Sequence, residues 1–189
     1  MRGSLRRSAL TGSPLSSALA QWTQPGFVRS IQRATITITG ATSATSTITA
    51  VDISNAELHY LGRTYNNNAG TCDQALVRLT FTNPTTITAS VITSPGADIL
   101  TVSFEVIEYV PGVIKSIQRG TITQAAGTAT ILPVNLLKSH LDFLGNTSTV
   151  GAPLIDVDGK MVLTNATTVT YSVGAAGTQV GGYQVVEFY

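Results

Sequence analysis

The sequence predicts an all-β protein: two tandem antiparallel β-sandwich or barrel modules behind an irregular N-terminal arm. Three observations lead there. Threonine occurs 29 times in 189 residues while charged residues make up only 11 %, well under the usual quarter. Thr, Ile and Val branch at Cβ, which suits a pleated surface and costs rotamers in a helix. Strict apolar/polar alternation recurs along the chain, and no window carries a sustained 3.6-residue apolar stripe. Finally, the stretch Val28-Arg-Ser-Ile-Gln-Arg-Ala-Thr-Ile-Thr37 returns as Val113-Ile-Lys-Ser-Ile-Gln-Arg-Gly-Thr-Ile-Thr123 with Ser-Ile-Gln-Arg intact, which marks two module starts.

Residues 1–26 show neither periodicity and are rich in Ser, Gly and Arg, so they form the arm. The first module spans 27–112. Ala34–Thr39 alternates and reads as a half-buried strand, Gly40–Ser43 as a turn, and Thr45–Val51 as the returning strand of a hairpin. Glu57–Leu61 is a third strand, closed by Gly62. Tyr65–Gly70 is a loop whose Asn run favours local side-chain bonds and positive φ. Ala75–Phe81 and Thr86–Ile92 are strands about the Asn83-Pro turn. Ser94–Ala97 turns into Leu100–Tyr109, a long sixth strand, and Val110-Pro-Gly112 links onward.

The second module, 113–189, replays this order. Thr45–Gly62 lies over Thr128–Gly145 without a gap, Phe81–Thr88 over Leu163–Thr170, and Phe104–Tyr109 over Tyr183–Phe188. About six short strands per copy, with turns every eight to twelve residues, is the pattern of a small sandwich or barrel. Two copies, each large enough for its own core, make a tandem pair rather than a solenoid. The three-residue link predicts a fixed angle between them.

Charge is uneven. Residues 1–51 hold Arg2, Arg6, Arg7, Arg29 and Arg33 and no acid; the rest holds six bases and ten acids, so +5 and −4 give the net +1. A basic arm on a slightly acidic body suits docking on an acidic partner surface, and three arginines are too few to call it a nucleic-acid binder. Arg6, Arg7 and Trp22 are the docking candidates. Trp22 reads either as an anchor ordering on a neighbouring subunit or as a side chain packed on its own first module. Sparse charge on Thr-rich faces predicts a permanent assembly. The polar middle of the arm does not suit a secretory signal, and no run reaches the ~18 apolar residues of a membrane helix.

Catalytic, metal and cofactor sites are all expected to be absent. The single Cys72 excludes an internal disulfide or a cysteine metal site and reads as a small loop or core residue. His59 and His140 fall at non-equivalent repeat positions and read as structural. Asp156-Val-Asp-Gly-Lys160 opens like a calcium loop but lacks the closing Glu, so it reads as a hairpin turn. Phosphate loops, nucleophile elbows and aromatic–basic platforms are missing. Asn146-Thr-Ser148 and Asn165-Ala-Thr167 match the glycosylation pattern, as chance allows in a Thr-rich chain. Tyr65 is the best candidate for an exposed aromatic contact. Glu105 aligns with Gln184, whereas Glu108 and Glu187 match each other, so a contact between Glu108 or Glu187 and Arg33 or Arg119 is expected at the module junction.

The string Ser-Ile-Gln-Arg-(Ala/Gly)-Thr-Ile-Thr, a Thr/Ala-rich hairpin, Leu-x-(Tyr/Phe)-Leu-Gly, (Phe/Leu)-Thr-Asn-x-Thr-Thr-(Ile/Val)-Thr and a closing Val-x-Glu-(Tyr/Phe) resembles a module of small virion-associated structural proteins of tailed bacteriophages. It covers residues 28–189, in duplicate; the 26-residue arm departs from the pattern. The resemblance implies a non-enzymatic role in the virion, on tail, fibre, baseplate or capsid surface, with other virion proteins as partners and no residues of known chemistry. A two-module chain in a three-fold ring presents six similar faces, so the homo-oligomer that duplication suggests is a trimer. The alternative is a carbohydrate-binding module for a host-surface glycan. Neither reading calls for nucleic acid or a membrane as a partner.

Overall fold

The computed structural model describes residues 26–66, 71–149, 159–174 and 178–189. Its strands are β1 (Val28–Ile38), β2 (Ser43–Thr47), β3 (Ala56–Tyr65), β4 (Arg78–Asn83), β5 (Thr86–Ser90), β6 (Leu100–Tyr109), β7 (Ile114–Thr123), β8 (Thr128–Thr130), β9 (Ser139–Ser148), β10 (Gly159–Asn165), β11 (Thr168–Val173) and β12 (Gln179–Phe188). The fold is all-β, as the Thr/Ile/Val composition predicts. The expected elements differ in three places. β1 and β2 do not form a hairpin: β1 pairs with β6 and β2, which ends at Thr47, pairs with β5, so the Gly40 turn carries the chain from one sheet to the other. β3 does not close at Gly62 but runs on to Tyr65 with a register shift at that glycine. The third difference lies at 72–75. There Cys72–Ala75 forms a single helical turn, α1, and the strand expected from Ala75 starts only at Arg78. Cys72, Ala75, Leu76 and Val77 are all buried, so this apolar run enters the core before extended pairing begins.

Pairing is the same in both halves. β6 lies between β1 and β3, and β12 lies between β7 and β9, all antiparallel. β5 lies between β2 and β4, and β11 lies between β8 and β10. Alternation sends one face of each strand inward. Ile36, Ile38, Leu58, Val102 and Phe104 build one core; Ile122, Val169, Tyr171, Tyr183 and Val185 build the other.

The Ser-Ile-Gln-Arg repeat has a structural job in each copy. Gln32 accepts a hydrogen bond from Thr49 N (2.7 Å) and donates to Thr49 O (3.0 Å). Gln118 does the same to Leu132, at 2.6 and 3.0 Å. Each glutamine therefore holds the segment after the second strand of its half as a strand partner would. The Asn-x-Thr turns repeat as well: Asn83 Oδ1 accepts from Thr85 N and Asn165 Oδ1 from Thr167 N, both at 2.9 Å, the local side-chain bond that favours Asn in turns.

The halves join edge to edge. Arg78 of β4 pairs with Gly145 of β9, which makes a six-stranded sheet in the order β2-β5-β4-β9-β12-β7. Leu144, from β9, is buried in the first half's core. A Cβ on Gly145 (φ +84°) would stand 2.1 Å from Val77 O, so only glycine permits this approach.

Candidate functional site at the junction of the halves

β3 alternates. Leu58 faces the first core, while Glu57 and His59 face the second half. β9 alternates likewise: Leu141 and Phe143 pack on the second core, and His140 and Asp142 face β3. Four ionisable groups thus meet in a closed ring of alternating acids and imidazoles. His59 Nε2 lies 3.0 Å from Glu57 Oε2 and its Nδ1 3.5 Å from Asp142 Oδ1; His140 Nε2 lies 3.3 Å from Asp142 Oδ2 and 3.7 Å from Glu57 Oε1. The gap-free alignment of the repeat places Glu57 over His140 and His59 over Asp142. Equivalent positions therefore carry complementary groups, and the ring exists only where the two halves meet. The two histidines read as unrelated structural residues share this one site.

The surroundings polarise the ring. Asp142 and then Glu57 push the His59 imidazole up to about 10, and Asp142 raises His140 as well. Burial works against ionising Asp142, yet hydrogen bonds from His140, His59 and Gln184 outweigh it and hold the carboxyl below the usual range. Burial, with Glu57 adding, pushes the Tyr109 phenol up to about 12; its hydroxyl donates to Glu57 Oε2 at 3.3 Å. The Phe188 ring stacks on His140 with centroids 5.6 Å apart.

Beside the ring, side chains of the second half cover the free edge of β3. Gln184 accepts from Leu58 N and donates to Leu58 O, both at 3.3 Å, and donates to Asp142 Oδ2 at 2.8 Å. Arg119 donates to Gln184 Oε1 (3.1 Å), to Ile53 O (2.9 Å) and to Ala56 O, and lies over the Phe81 ring. Desolvation brings Arg119 down to about 10. An edge strand whose backbone groups are taken by neighbouring side chains offers no template for another strand.

The expected pairing of Glu108 or Glu187 with Arg33 or Arg119 does not occur. Antiparallel strands run in opposite senses, so the arginine, three residues after the motif serine, meets the residue three before the glutamate. Arg33 faces Glu105 and pairs with it; Arg119 faces Gln184. Glu108 instead takes Arg29 (3.2 Å), Ser30 (3.2 Å) and Asp52 N (2.9 Å). Glu187 takes Lys115 (2.9 Å), Ser116 (3.4 Å) and Asn135 N (2.9 Å). Both glutamates lock the loop within their own half. Of the four junction candidates, Arg119 reaches across.

Arg6, Arg7 and Trp22 lie outside the described residues, as do Asp156 and Asp158. Asn146 is buried and donates to Gln179 Oε1 at 3.2 Å. Tyr65 is half-buried, with its hydroxyl 3.3 Å from Gln74 Oε1. Among the described residues no helix is long and apolar enough to cross a membrane. The junction was hidden from the sequence because its parts sit about 80 residues apart. The one available signal was the complementary swap of Glu57-x-His59 for His140-x-Asp142 in the aligned repeat.

Comparison with protein-family models, with curated proteins and with solved structures finds no match to this chain.

Proposed function

We propose that the chain is a non-enzymatic structural subunit of a tailed-phage virion that assembles into a homo-oligomer. The observation that carries the assembly part is an exposed apolar surface on the loop between β8 and β9. Leu132, Leu136 and Leu137 are 73, 49 and 96 % exposed there, and clustered exposed leucines on a sparsely charged body mark an interaction surface. The aligned positions of the first half are Thr49, Ile53 and Ser54, of which only Ile53 is apolar and exposed, so the surface is larger in the second half. The virion part rests on the resemblance of residues 28–189 to phage structural modules. Native mass spectrometry tests the assembly: a trimer is expected for the full chain and a monomer for the Leu136→Lys/Leu137→Lys variant. A full chain that stays monomeric at tens of micromolar sinks the assembly reading, and purified particles lacking the chain sink the virion reading.

An aromatic groove favours the second reading, a host-glycan module. Phe27, Tyr109, Val113, Phe188 and Tyr189 line it, and Phe27 and Tyr189 are each 69 % exposed. Flat exposed rings suit the apolar faces of sugars. A glycan array with the full chain, compared with Phe27→Ala/Tyr189→Ala, separates the readings: binding lost in the variant promotes the glycan role.

A further inference from the structure

We propose that Glu57, His140 and Asp142 form a binding site for a divalent transition-metal ion of the zinc class, which clasps the first half of the chain to the second. This is independent of the virion reading and adds a ligand to a junction otherwise explained by packing.

One carboxylate oxygen of each acid and one imidazole nitrogen lie within 4.8 Å of one another. The spacing between Glu57 and His140 suits an ion better than direct contact. His140 Nε2 stands 3.7 Å from Glu57 Oε1 and 3.3 Å from Asp142 Oδ2. The first distance is too long for a hydrogen bond. Ligand atoms on a tetrahedral ion with bonds of about 2.0–2.1 Å are separated by about 3.4 Å, and the two observed separations bracket that value.

A second observation points the same way. The Glu57 side chain is 2 % exposed, and its Oε1 accepts no hydrogen bond. A buried carboxylate oxygen without a hydrogen-bond donor is costly, and a metal ion is the partner that its position, facing His140 Nε2, allows. The other oxygen, Oε2, is held by Tyr109 and His59, so Oε1 is fixed in direction. Gln184 holds Asp142, and the Phe188 ring fixes the plane of His140. Such outer contacts orient ligands and raise affinity. Arg119 directs its N–H groups to Gln184 and to the carbonyls of Ile53 and Ala56, which leaves the cation-binding face of Glu57 to His140.

The donor set selects the ion. Two carboxylates balance a divalent charge, and an imidazole ligand suits zinc, copper, iron and nickel over magnesium and calcium. His140 is 39 % exposed and His59 24 %, so an ion has a way in from the rim. His59, with its two ring nitrogens on Glu57 Oε2 and Asp142 Oδ1, stays an outer contact, and the fourth position falls to water. Glu57 comes from β3 and the other two ligands from β9, so metal occupancy ties the halves together.

The test uses the full chain after chelator treatment and dialysis, titrated with zinc chloride by calorimetry and followed in parallel by thermal unfolding. Cobalt(II) serves as the optical probe. One ion per chain, a raised Tm and the intense visible bands of tetrahedral cobalt are expected. Glu57→Gln and, because Glu57 is buried, the rim variant His140→Asn are both measured, with circular dichroism confirming their fold. Each should weaken zinc binding about 100-fold or more, and Tyr109→Phe about tenfold, as outer contacts do. A folded His140→Asn that binds zinc within threefold of the parent overturns the site, as does a parent whose Tm zinc leaves unchanged.

Discussion

Arg33–Glu105 and Arg119–Gln184 occupy the same cross-strand slot of the two halves, yet they live in different solvents. Arg33 is 66 % exposed and its partner is a carboxylate. Arg119 is covered by the first half and its partner is a neutral amide. β6 is buried on one face and half-buried on the other, whereas β12 is buried on both faces over most of its length. A charge is cheap at the first position and costly at the second unless every bond is met. The same cross-strand slot thus holds a solvated ion pair where the sheet meets water and a fully bonded amide where it meets the other half. The charge that remains, on Arg119, is spread over three acceptors.

The largest effect is expected where backbone meets backbone. Gly62 and Gly145 share a repeat position and positive φ, +112° and +84°. A Cβ at Gly62 meets open space, while one at Gly145 would strike Val77 O. Gly62→Ala should cost about 1–2 kcal/mol of backbone strain. Gly145→Ala adds the clash with a backbone that cannot turn aside, for a total of about 4 kcal/mol. Urea unfolding checks both; equal losses would mean that the junction does not discriminate between the halves.

Exchanging the partners of the arginines sharpens the contrast. Gln184→Glu removes the donor to Asp142 and sets a buried carboxylate against it, with a loss of about 3 kcal/mol expected at neutral pH. Glu105→Gln, at the rim, should cost under about 1 kcal/mol. Arg119→Met strands the carbonyls of Ile53 and Ala56 and should cost about 2–3 kcal/mol, against under about 1 kcal/mol for Arg33→Met. Thermal unfolding of the four variants reads the difference. A Gln184→Glu no worse than Glu105→Gln would show that the slot is wetter than its contacts indicate.

The strands were legible because alternation and Cβ branching act locally. Leu100–Tyr109 is a strand from end to end in both sequence and structure. The turn at Asn83 was legible for the same reason. What escaped were outcomes of tertiary burial. Ala75–Val77 reads as the start of a strand, but it enters the core as the end of one helical turn followed by irregular chain. Glu108 and Glu187 are visible as a repeated pair, but their partners follow from strand register, which alternation alone does not fix. The ring of Glu57, His59, His140 and Asp142 depends on how one half sits on the other, and no local pattern carries that. The swap of acid and histidine between copies was present in the letters, yet it acquires meaning only once β3 and β9 are known to be neighbours.

A small effect, below the junction losses, concerns a feature that the halves share, the buried glutamate near the end of each last strand. Lys115, then the amide of Asn135, holds the Glu187 carboxyl below its ordinary 4.5. A carboxyl depressed in the folded state contributes stability above its unfolded value and loses it as pH falls through the folded value. The parent should therefore lose stability as pH drops below about 4.5. Glu187→Gln keeps the shape but not the charge, so it should start about 1 kcal/mol lower at pH 7 and lose less on acidification. Urea midpoints from pH 7 to pH 3 supply the measurement. Because Glu187 serves a loop inside the second half, the Arg119 contacts should be untouched, and the losses from Glu187→Gln and Arg119→Met should add. A departure from additivity beyond about 0.5 kcal/mol would mean that loop locking and junction packing are one cooperative unit.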